Sequence, residues 1–71
     1  MAASLFTQVF NFTADYFEDC DVKELISADD VATVCEYASF DEDKEFIENA
    51  PEDWNLMQDV AKALNVKYNL M

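Results

Sequence analysis

Apolar residues along this chain recur at the spacing of a helix more than at the alternation of a strand. Phe6, Val9, Phe10, Thr13 and Phe17 fall on one face at about 3.6 residues per turn, with Leu5 and Tyr16 on its flanks. Ser4 is placed to cap that helix. Leu5–Thr13 is also rich in Phe, Val and Thr, which makes a strand the competing reading there. Asp21-Val22-Lys23-Glu24 has the spacing of a capping box and predicts a short turn running through Ile26.

Ser27 then predicts the cap of a second helix, with Val31, Val34, Cys35 and Ala38 inward and Asp29, Thr33 and Glu36 outward. Phe40 and the acidic stretch 41–48 suggest a short third helix whose apolar content is only Phe46 and Ile47. Pro51 suits the first position of a final helix, with Glu52 and Asp53 favourable against its dipole. Trp54, Met57, Val60, Ala61 and Leu64 form that helix's inward stripe. Asn65 is expected as its left-handed cap, with Val66 folding back and Tyr68 and Leu70 left to pack without a clear period. The expected fold is all-α, a single domain over residues 1–71 built as a compact bundle of three to four short helices.

Composition narrows what such a bundle can do. Sixteen Asp and Glu stand against four Lys, with no His and no Arg, for a net charge of −12. A direct nucleic-acid binder or a ligand of anionic membranes needs a basic footprint, which is missing. Without His no side chain titrates near neutrality by default, and without Gly there is no phosphate-cradling loop. The chain is therefore not expected to be an enzyme, and no cofactor or metal is expected. Apolar residues at 52% and aromatics at 14% are too many for a disordered acidic tail. An acidic proteome adapted to high salt would also produce the charge, although ten aromatics in so short a chain argue against it. The N-terminus lacks the pattern of a signal peptide, and no stretch approaches a membrane span. Cys20 and Cys35 have no metal-ligand spacing and read as reduced thiols of a cytoplasmic protein, with Cys35 as core filler.

Specific sites fare poorly. Asp41, Asp43, Glu45, Asn49 and Glu52 mimic calcium-loop positions, but Phe46 stands where the loop needs Gly. Asp43 and Glu52 as a hydrolytic pair lack a desolvating neighbour. Cys20 lies among Glu18, Asp19 and Asp21, which disfavour its thiolate. Residues 59–66 resemble the first helix and turn of a helix-turn-helix reader, yet only five residues follow, so the segment reads as a plain helix end.

The distribution of charge says more. Residues 1–14 carry none, and all sixteen acids lie between Asp15 and Asp59 with only Lys23 and Lys44 among them, a net −14. Solubility alone asks for a net charge of about 2 to 8 in a small domain. A compact domain of this length is roughly 28 Å wide, and B-DNA of that length presents roughly 16 phosphate charges. The carboxylates expected to meet a partner are Asp15, Glu18, Asp19, Asp29, Glu36, Asp41, Glu42, Asp43, Glu45, Glu48 and Asp53.

In its small size, acidity and helical character over the whole chain, the protein resembles the DNA-mimicking inhibitors of phages and mobile elements, the anti-CRISPR and anti-restriction class. The resemblance implies a stoichiometric inhibitor, working in the host cytoplasm, that blocks the basic nucleic-acid-binding surface of a nuclease, CRISPR effector or regulator. The alternative is a helical protein–protein module whose grip is aromatic and whose charge serves solubility; a self-assembling structural component is a third reading. Phe12, Leu5 and Leu56 are expected at an exposed apolar patch, which would serve a homodimer or a hydrophobic partner.

Overall fold

Local capping chemistry starts each helix, and one long-range clasp fixes how the helices sit. The computed structural model describes residues 4–38 and 50–70. Within them lie α1 (Leu5–Glu18), α2 (Ala28–Ala38), a 3-10 turn (Ala50–Glu52) and α3 (Trp54–Lys67), with no strand among the described residues. The fold is all-α. Residues 5–13 are helical, and the segment proposed as a helix at 41–48 lies outside the described residues.

Ser4 caps α1, its hydroxyl oxygen accepting from the Thr7 N–H at 3.2 Å. At α2, the Ser27 N–H donates to Asp30 Oδ2 at 2.8 Å and the Asp30 N–H donates to Ser27 Oγ at 3.1 Å, a reciprocal capping box. The box predicted at Asp21–Glu24 does not form. That segment has no helical turn, and Asp21 instead pairs with Lys23 at 3.2 Å. Pro51 sits in the 3-10 turn and not at the start of α3, because Asp53 takes the cap: its Oδ1 accepts from the Leu56 N–H at 3.1 Å.

α3 also runs further than expected. Asn65 is not its cap but a buried helical residue, and the left-handed residue is Asn69, at φ 58°. The Leu70 N–H donates to the Asn65 carbonyl at 2.8 Å and the Asn69 N–H to the Val66 carbonyl at 3.2 Å. That pair of bonds is a Schellman closure with Asn where Gly is usual, which suits a chain that has no glycine. Val66, expected to fold back, is exposed.

The interior is aliphatic and small. Val9, Ala14, Ile26, Val31, Val34, Cys35, Ala50, Met57, Val60, Ala61 and Leu64 are buried, while Phe10, Phe12, Phe17 and Tyr68 pack at its edge. No aromatic ring among the described residues is fully enclosed, as expected of a bundle too thin to surround one. Phe12 and Leu56, predicted to be exposed, are half-buried against the core. Trp54, predicted to be inward, is 46% exposed, bordering an open groove between the start of α2 and α3. Thr13 is fully buried and satisfied by its own helix, its hydroxyl donating to the Val9 carbonyl at 2.8 Å.

The clasp joins residues 39 positions apart. Asn65 Oδ1 accepts from the Ile26 N–H at 2.6 Å, and Asn65 Nδ2 donates to the Ile26 carbonyl at 2.9 Å. One amide side chain thus satisfies both polar groups of a buried, non-helical residue. Among the described residues no helix is long and apolar enough to cross a membrane.

Replacing Asn65 with Ala leaves the Ile26 N–H and carbonyl buried without partners, and should cost about 2–4 kcal/mol, read as a lower urea midpoint. A midpoint unchanged from wild type would show that the clasp contributes nothing.

Candidate interaction surface

Every acid among the described residues is exposed, but they do not all stand in equivalent places. Asp29 and Asp30 occupy the first turn of α2, and Asp53 caps α3. Negative charge at a helix N-terminus is favourable by about 0.3–1 kcal/mol, so these three serve the fold whatever else they do.

Asp15, Glu18 and Asp19 are placed the other way. They crowd the C-terminal end of α1, whose last turn has no basic residue, and there the macrodipole opposes them. Asp15 and Glu18 come together beside Tyr68. The Tyr68 hydroxyl donates to the Ala14 carbonyl at 3.0 Å, and its pKa is raised by burial first, then by Glu18 and Asp15. Lys67 lies 3.9 Å from Glu18 and 5.8 Å above the Tyr68 ring centroid. Both ion pairs found among the described residues involve exposed side chains, where such pairs contribute about 0–1 kcal/mol.

Glu36 is exposed on α2, as predicted, on the outward side with Asp29 and Thr33. Asp41, Glu42, Asp43, Glu45 and Glu48 lie outside the described residues. Three further carboxylates stand outside the predicted set. Asp21, Glu24 and Asp30 border one hollow with Phe17, Val22 and the exposed Leu25, where the segment after α1 turns toward α2. Asp21 and Glu24 have the spacing of a capping box that does not form, while Asp30, to which the sequence pattern assigned no role, takes part in the box that does. A second, open groove of about 380 Å³ runs between the start of α2 and α3, bordered by Asp29, Trp54, Gln58 and Lys62.

Both cysteines are free. Burial, with Glu36 adding to it, pushes the Cys35 thiol from an ordinary 9.0 up to about 11, so it stays protonated and inert at neutral pH. Among the described residues no group of three His, Cys, Asp or Glu is arranged to hold a metal ion. Residues 59–66, which resemble part of a helix-turn-helix, lie within the continuous α3.

No protein-family model, curated protein or solved structure matches the chain.

The two raised pKa values have a shared consequence at alkaline pH. The folded state holds both protons more tightly than the unfolded chain; for Cys35 the stabilisation is complete below about pH 9 and is lost as pH rises toward about 11, and Tyr68 acts in the same direction. Chemical denaturation across pH 8–11 should show this decline, and Cys35→Val combined with Tyr68→Phe should flatten it. A thiol-reactive probe at pH 8 should label the exposed Cys20 well before the buried Cys35, which should react only on unfolding; equal labelling of the two would contradict the burial of Cys35.

Proposed function

We propose that this protein is a stoichiometric decoy: an acidic helical body that occupies the basic nucleic-acid-binding surface of a nuclease, a CRISPR effector or another DNA-binding protein. It works by binding and not by catalysis. The reading is supported chiefly by the acids at the end of α1. Carboxylates at 15, 18 and 19 work against the helix that carries them, and self-repulsion across a net charge of −12 works against the whole fold. Charge that costs stability and is not needed for solubility is accounted for by a partner that needs it.

The dimensions are compatible. The body measures 31 × 23 × 21 Å, with a radius of gyration of 11.3 Å. Over 31 Å a B-DNA duplex presents about 18 phosphate charges, against sixteen carboxylates here. Such a surface steers a basic partner into contact quickly and gives an affinity that falls with salt.

A second reading, a protein–protein module with an apolar grip, draws on Leu25, Tyr37 and Val66, which are 61%, 61% and 63% exposed. Salt separates the two readings, because apolar contacts respond little to it between about 50 and 200 mM.

The test is displacement of a labelled duplex from a panel of restriction nucleases and guide-loaded CRISPR effectors. Displacement should weaken steeply with salt, and Asp15→Lys, Glu18→Lys and Asp19→Lys combined should weaken it at least tenfold and flatten the salt response. Asp29→Lys with Glu36→Lys should act in the same direction. Asp19→Lys by itself should leave the fold as stable as wild type or more so, by up to about 1 kcal/mol. Salt-insensitive binding that survives these reversals, but is lost on Leu25→Ala or Tyr37→Ala, would replace the decoy with the module.

A further inference from the structure

The groove between α2 and α3 contains the one feature that the decoy reading leaves unexplained. Trp54 is the only tryptophan of the chain and stands 46% exposed at the first position of α3. A core this short of large side chains leaves its largest apolar group half in water, at the edge of an open groove. Asp29 borders the same groove from α2, and its carboxylate accepts no hydrogen bond among the described residues. Glu52 and Asp53, both exposed, immediately precede the indole in the chain. Lys62 also borders the groove, but eight residues along α3, about 12 Å of axial rise from Trp54. The groove thus sets the indole together with one acid and one lysine, and two more exposed acids precede the indole in the chain.

We propose that this groove takes an arginine side chain of the basic partner, its guanidinium stacked on Trp54 and within reach of the Asp29 carboxylate. The inference rests on the decoy reading and names its anchor. Trp is the strongest ring for a cation, and a planar guanidinium can stack and pair with a carboxylate at once, whereas a lysine ammonium is compact and strongly hydrated. Exposed aromatic anchors of this kind carry a disproportionate share of interface affinity. The groove thus supplies the discrimination that diffuse charge cannot.

Nona-arginine and nona-lysine are titrated into the full chain at low salt, followed by calorimetry and by Trp54 emission. The arginine peptide should bind about two- to fivefold more tightly and shift the emission saturably. Trp54→Ala, its folding checked by circular dichroism, should abolish the preference while leaving nona-lysine affinity unchanged. Trp54→Phe should retain part of it, and Asp29→Asn should reduce it. If both peptides bind equally, with salt-sensitive affinity and unmoved emission, the groove is not the anchor and the decoy reading stands. If neither binds, both fall together.

Discussion

The two hydrogen bonds between the Asn65 amide and the Ile26 backbone hold the rest of the molecule in register. Between α1 and α2 the chain has no regular structure, and its local ties include a Val22 N–H to Cys20 carbonyl bond at 3.0 Å and the exposed Asp21–Lys23 pair. Asn65 fixes its path from α3. Once Ile26 is pinned, its side chain enters the core and Ser27 follows at once as the cap of α2. The direction of α2 is thus set by a side chain on a different helix. The arrangement is demanding, because a buried amide that satisfies both groups of its partner is stabilising and one that misses either is not. Among the described residues no buried side-chain polar atom lacks a partner.

Around that clasp the fold meets a second constraint, which is to stay folded while carrying strong like charge. Its answer is segregation. The interior contains small aliphatic side chains and a cysteine held as a neutral thiol, the aromatic rings form a fringe, and the described carboxylates all reach water. Solvent screens their mutual repulsion there, where a buried arrangement would not. The acids at the starts of α2 and α3 return something to the fold, whereas at the end of α1 only Glu18, near Lys67, has a partner for its charge, and Asp15 and Asp19 have none in the ion pairs found among the described residues. That asymmetry separates carboxylates with a structural reason from those without one. Proximity adds a further distinction: Asp15 and Glu18 meet at Tyr68, Asp21, Glu24 and Asp30 meet beside Leu25, and Asp29 shares a groove with Trp54. The acidic coat is therefore not uniform, since aromatic and aliphatic side chains are set among its charges.

What the amino-acid order determined by itself is local. Ser4 and Ser27 announce the starts of α1 and α2 because a cap's partner lies three residues away, and the stripes Val9–Thr13, Val31–Cys35 and Met57–Leu64 follow from helical period alone. The outward position of Asp29 and Glu36 follows from the same period. Tertiary structure decided everything that depends on a distant partner. Asn65 has the chemistry of a left-handed cap, and only the arrival of Ile26 from 39 residues away turned it inward and passed the cap to Asn69. Asp21 and Glu24 have the spacing of a capping box, yet no helix forms there to be capped. Phe12 and Leu56 lie beside their stripes and are half-buried, while Trp54 keeps the period of its stripe and is nevertheless 46% exposed. Whether such a ring meets protein or water is settled by which neighbouring helix happens to cover it, and that is a property of packing in three dimensions.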